Sequence, residues 1–372
     1  MSGFGFIRRS FRELQGWLAD DPAPALTAFI RSARYATESS PYGSPPGAPS
    51  HSDCLDAYRA ALVLDRDGYG SESARAFFET WFEPFEIVPA PGGYGHVTAF
   101  YEPVVEVRAE PDEVWRYPFL RRPPGLIKIE DPDNPPPDIP KGHAFGLAVD
   151  GRLEVCPDRR AIETGAFSGQ GLEIAYARDA VDVFFAHVQG AARLDFGNGV
   201  VSRVTYAAKS GHPFTGIGRI LDERGEFGRE RVSMQAIRAW LASHPDAAHA
   251  LMWQNRSFIF FREADVDDPR LGPVAAAKVP LEPGRSMAVD KAIHRFGTPF
   301  FVSAPTLRDF DRATPFARLM IAQDTGSAIL GPARGDLFTG SGPDAGALAG
   351  GVNAVATFHA LLPRGFDPDR AT

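Results

Sequence analysis

From about residue 255 onward, Gly and Pro cut the chain into short apolar runs: SFIFF (257–261), SMAVD (286–290), GTPFFVS (297–303), ARLMIAQD (317–324) and GDLFTG (335–340). None is longer than an ordinary strand, and the interrupting residues break any helix drawn across them. A close series of short strands suggests a small closed barrel. The first hundred residues read differently. In 25–34, Leu26, Phe29, Ile30 and Ala33 recur at helical spacing, and 73–82 places Phe77, Phe78 and Trp81 in a second helical pattern. The period then changes to that of a strand over 96–108 (HVTAFYEPVVEVR), with Pro103 marking an edge, bulge or turn. Residues 118–140 are too rich in Pro for a helix and read as an exposed connection. Short β pieces with many Gly fill 196–221, and 232–241 predicts an amphipathic helix with Met234, Ile237, Trp240 and Leu241 on one face. The end, PRGFDPDRAT, reads as a frayed tail.

Charge narrows the function classes. The net charge is −8, and no basic footprint offers itself to nucleic acid. An anionic polymer would have to be held by shape, stacking and hydrogen bonds. Cys54 and Cys156 allow one disulfide at most and read better as small buried hydrophobes. No apolar run reaches the roughly 18–20 residues that span a bilayer, and the opening MSGFGFIRRSFRELQGW carries Arg8 and Arg9 without an apolar stretch and cleavage site. There is no phosphate-binding G-x-x-x-x-G-K-[ST], no H-E-x-x-H, no Cys/His cluster at metal spacing and no G-x-S-x-G elbow. The Gly-rich run GSGPDAG (340–346) reads as a turn. Neither metal nor cofactor is expected. Carboxylate chemistry remains.

Three aspartates stand out: Asp290 in GRSMAVD, Asp324 in LMIAQDTGSAI and Asp336 in GPARGDLF. Asp324 ends an apolar strand and opens into Thr-Gly, where a rigid element can aim an acid and a turn gives access. The alternative is a turn-capping aspartate bonding nearby backbone N–H groups.

The segments PLEPGRSMAVDKAIHRFGTPFFV (280–302), RLMIAQDTGSAILGPARGDLFTGSG (318–342) and DAGALAG (344–350) resemble the three-aspartate domain that ends the membrane-bound lytic murein transglycosylase A family. Further resemblances precede them in order: SFRELQGWLADD (10–21), TAFYEP (98–103), LEIAYARDAVDVFFAHVQG (172–190), YAAKSGHPFTGIGRIL (206–221), SMQAIRAWLASHP (233–245) and WQNRSFIFFRE (253–263). They span essentially the whole chain. Departures from the family pattern, such as Ala99 in TAFYEP and Ala208 and Ser210 in AAKSGHPF, fall where substrate is expected.

The resemblance implies a mainly β chain with flanking helices: a double-psi β-barrel domain from 1–103 and 256–372, and a second β-rich substrate-binding domain inserted at 104–255. It implies cleavage of the β-1,4 bond between N-acetylmuramic acid and N-acetylglucosamine in peptidoglycan, without water. The muramyl C6 hydroxyl attacks the anomeric carbon and leaves a 1,6-anhydro end. Because that nucleophile belongs to the substrate, one protein carboxyl can serve as acid and then as base. By resemblance it is Asp324, with Asp336 and Asp290 supporting and Thr98, Tyr101, Gln189, Lys209, His212 and Gln323 contacting substrate. The expected partners are glycan strands, a monomer is expected, and other cell-wall synthesis or hydrolysis proteins are partner candidates. The substrate implies the periplasm, with outer-membrane association. A water-using hydrolase, with Asp336 as second carboxylate, and a non-catalytic glycan-binding protein remain alternatives.

Overall fold

The computed structural model describes residues 3–90, 92–228, 232–264, 266–308, 310 and 314–368. The chain forms two compact units, one from residues 1–101 and 266–372, the other from 102–265.

In the first unit the helix Ala23–Glu38 buries Leu26, Phe29, Ile30 and Ala33, one stripe at helical spacing. The helices His51–Asp67 and Ser71–Trp81 complete a helical layer. Phe29 sits among the rings of Phe77, Phe78 and Phe82 at centroid distances of 5.6–5.9 Å, and this cluster continues into Phe301, Leu319 and Ile321 of a sheet. The sheet has eight strands in the order Phe4–Arg8, Phe82–Pro89, Asn353–Pro363, Pro299–Ala304, Phe316–Asp324, Ser286–Ala288, Arg334–Ser341, Gly95–Glu102. Its other face packs Met287, Val302, Phe316, Met320 and Phe358. Successive residues therefore alternate between two cores: Leu319 and Ile321 face the helices, Met320 and Ala322 face away. The long strand Asn353–Pro363 pairs near its start with Gly95–Glu102 and later with Phe82–Pro89 and Pro299–Ala304. Gly95 permits the first contact, since a Cβ there would lie 2.2 Å from the Ala356 carbonyl oxygen.

In the second unit a six-stranded sheet runs Ile259–Glu263, Val200–Lys209, Ala191–Gly197, Val104–Arg108, Glu173–Ala177, Tyr117–Leu120, beside a three-stranded sheet of Leu126–Lys128, Phe145–Val149 and Arg152–Glu154. The helix Ala180–Gln189 is capped by the Asp179 carboxylate, which accepts from Val181 N at 2.8 Å, and closed by Gly190 in the left-handed region at φ 76°.

The expected fold class needs correcting. The protein is mixed α/β, with nine α-helices among the described residues, and its sheets do not form the closed double-psi β-barrel expected. Among the described residues the strand Phe4–Arg8 pairs only with Phe82–Pro89 and stands at one edge of the large sheet. The short Gly- and Pro-bounded runs are strands, as their lengths predict, but strand length does not encode closure. The helix His51–Asp67 and the strand Phe4–Arg8 are additions to the sequence reading. The GSGPDAG run is no simple turn either: Pro343 opens the helix Pro343–Gly351 from within it. The frayed tail lies partly outside the described residues, at 369–372. Both cysteines are free.

Candidate active site

The strand Ser286–Ala288 organises the aspartates. Ala288 is the register partner of Asp324 on the parallel strand at one side and of Asp336 on the antiparallel strand at the other. A register shift between Met287 and Ala288 brings Asp324, the last residue of its strand, into line. Alternation places Asp324 on the face away from the helices. Its Oδ1 accepts from Ala276 N at 3.1 Å, and its own carbonyl accepts from Val289 N at 3.0 Å. Burial pushes the Asp324 carboxyl up to about 6, helped by the nearby Asp336 and opposed by the Thr325 and Ala276 N–H groups. The residue still keeps part of its surface accessible. A carboxyl that holds its proton up to about pH 6 and can be reached from outside is suited to act as a general acid.

Asp336 is also raised by burial, against the pull of Thr98, Arg334 and His96. Thr98 Oγ1 donates to Asp336 Oδ1 and accepts from Arg334 Nη2 at 2.6 Å. Thr98 and His96 lie two apart on one strand, as do Arg334 and Asp336 on another, so each pair leaves its strand on one face.

The remaining expected residues are distributed more widely. Asp290 accepts from Ala292 N at 3.0 Å and Gly331 N at 2.8 Å, tying together the loops after two strands. Tyr101 is nearly buried, with its ring against Gly346 of the helix Pro343–Gly351; a Cβ on Gly346 would come within 2.8 Å of that ring. Gln323 is fully buried on the opposite face from Asp324. Its Oε1 accepts from Ser286 Oγ at 2.5 Å, and its Nε2 donates to Ala28 O and Ser32 Oγ, both at 2.8 Å. In the second unit His212 is buried, with Nε2 2.8 Å from Cys156 O and Nδ1 3.2 Å from His143 Nε2. The polar atoms of Gln323 and His212 are thus hydrogen-bonded inside the fold. Gln189 ends its helix and Lys209 ends its strand, both partly exposed.

Thr98, Asp324 and Asp336 are therefore brought together in the first unit. Arg334 and His96 join them and were missed by the sequence reading. The signal for Arg334 was present: in ARGD it stands two residues before Asp336, the separation that shares a strand face. Among the described residues, no three His, Cys, Asp or Glu side chains cluster to hold a metal ion.

Residues 96–262 match the MltA specific insert domain, and residues 285–362 match the 3D domain. Over 259 residues the chain is 34% identical to the membrane-bound lytic murein transglycosylase A of Vibrio cholerae, covering 68% of this chain and 61% of that protein. Over 267 residues it is 35% identical to that of Escherichia coli K12, covering 70% and 64%. The matched region thus spans less than two thirds of these relatives' own length. The crystal structure of a membrane-bound lytic murein transglycosylase from Agrobacterium tumefaciens superposes with a TM-score of 0.89 at 49% identity, covering 99% of this chain and 100% of that one. E. coli MltA with bound chitohexaose superposes with a TM-score of 0.66 at 27% identity, covering 92% and 90%.

Proposed function

Because this chain belongs to the membrane-bound lytic murein transglycosylase A family, we propose that it cleaves the β-1,4 bond between N-acetylmuramic acid and N-acetylglucosamine in peptidoglycan and leaves 1,6-anhydromuramyl ends. Asp324 is the acid and then the base. The observation that carries this reading is its carboxyl, held protonated to about pH 6 by burial beside Asp336.

In the first step Asp324 gives its proton to the glycosidic oxygen as the bond from the anomeric carbon breaks. The leaving N-acetylglucosamine departs with a free 4-hydroxyl. In the second step the muramyl C6 oxygen bonds to the anomeric carbon, and the Asp324 carboxylate takes the proton that the C6 hydroxyl loses. Atoms balance without water, and Asp324 ends protonated for the next turnover. Asp336 supports the acid by its charge, Asp290 by fixing the neighbouring loops. Thr98, Tyr101, Gln189 and Lys209 are assigned to substrate contact.

The substrate class places the protein in the periplasm. Its relatives are called membrane-bound, and no described helix is long and apolar enough to cross a membrane; attachment to the outer membrane is part of the proposal. Asp324→Asn tests the residue assignment. A folded variant that no longer solubilises purified peptidoglycan supports it, and a variant as active as the wild type removes it.

A further inference from the structure

Arg334 stands two residues before Asp336, and its Nη2 donates to Thr98 Oγ1 at 2.6 Å while Thr98 Oγ1 donates to Asp336 Oδ1. Its Nη1 donates to the Gly335 carbonyl. The guanidinium is half-buried and so is held in place. The titratable groups facing Asp336 are Arg334 on its own strand, His96 on the strand Gly95–Glu102, and Asp324 across Ala288. Asp324 is faced by Asp336 and by the N–H groups of Ala276 and Thr325. Among the described residues the cation therefore stands on the Asp336 side of the pair.

We propose that Arg334, working through the Thr98 hydroxyl, keeps Asp336 as the ionised member of the carboxyl pair and so assigns the remaining proton to Asp324. This rests on the reading of Asp324 as acid. Two neighbouring carboxyls resist joint ionisation, so the first proton leaves the one whose anion is better supported. Among the described residues, Asp336 has a hydroxyl donor and a guanidinium beside it, and Asp324 has backbone N–H donors instead. A reaction run by one acid needs this asymmetry. With the proton on Asp336, Asp324 would be an anion and the leaving oxygen would have no donor. Arg334 is a positioning residue and need not touch the glycan.

The test is the initial rate of soluble product release from purified peptidoglycan across pH 4–8, for wild type, Arg334→Gln and Arg334→Lys, with Asp324→Asn alongside. Loss of the cation makes Asp336 hold its proton to higher pH. The acid limb of Arg334→Gln should move up by about one pH unit, with a roughly tenfold lower rate on that limb. Arg334→Lys, which keeps the charge, should move it back toward wild type. An acid limb that stays put in Arg334→Gln, or moves equally in the Lys variant, overturns the proposal. If Arg334→Gln does not fold, Thr98→Val decides: breaking the relay must also raise the limb, and an unmoved limb again overturns it. An inactive Asp324→Asn with an unmoved limb rejects this inference alone, whereas an active Asp324→Asn rejects the reading beneath it.

Discussion

Asp324 and Asp336 flank a single residue, Ala288, one on a parallel and one on an antiparallel strand. This shared register couples their charges. Asp336→Asn removes the anion that helps Asp324 keep its proton, so the Asp324 carboxyl should titrate lower. Activity that needs a protonated Asp324 is lost as pH rises through that value, so the alkaline limb should move to lower pH. A pH–rate profile on purified peptidoglycan checks this, and an alkaline limb identical to wild type would contradict the coupling.

The proposed acid should also carry a stability cost. Asp324 titrates near 6 in the fold and at about 3.9 in an unfolded chain. Its folded value is raised, so stability declines as pH rises between about 4 and about 6 and stays reduced above that window. Asp324→Asn cannot ionise. It should match the wild type near pH 4 and exceed it by about 2–3 kcal/mol at pH 7. Denaturant unfolding at the two pH values measures the difference, and an equal difference at both would contradict the titration.

A buried ion pair anchors the strand beside the site. Arg285 donates to both Asp20 oxygens at 2.9 Å, and Asp20 Oδ2 also accepts from Leu319 N at 2.8 Å. Arg285→Met leaves Asp20 charged and buried and should cost about 3–5 kcal/mol. Thermal melts should show the double variant Arg285→Met/Asp20→Leu recovering a measurable part of that loss.

Gln323 links the same strand to the helix Ala23–Glu38 through Ala28 and Ser32. Gln323→Ala strands these partners and Ser286 and should destabilise by about 1–3 kcal/mol. Its pH–rate profile should keep the wild-type limbs, because Gln323 points away from the face that carries Asp324. Urea unfolding and the profile together separate a structural role from a chemical one.

Much of this was legible from local chemistry. The stripe Leu26, Phe29, Ile30, Ala33 predicts its helix because burial and the 3.6 period coincide there. Pro103 marks the break between Gly95–Glu102 and Val104–Arg108, where no ladder N–H is available. The helix His51–Asp67 escaped because its buried positions are small or few: Ala57, Tyr58 and Ala61 give a weak stripe. Strand order depends on contacts such as those between residues 95–102 and 353–363, which no local pattern encodes. At the site, Asp324 was marked by its place at the end of an apolar run. Gln323, one residue earlier, could be assigned only once the parity of the strand was known: a single step moves a side chain from one core to the other. Arg334 takes its meaning from Thr98, 236 residues away.

The most direct test of the central claim is mass spectrometry of the soluble fragments released from purified peptidoglycan by the wild-type protein and by Asp324→Asn. The account predicts fragments ending in 1,6-anhydromuramyl groups from the wild type and none from the variant. Fragments with reducing ends would contradict it and identify a water-using hydrolase, and a folded wild type that releases nothing would leave a glycan-binding protein without turnover.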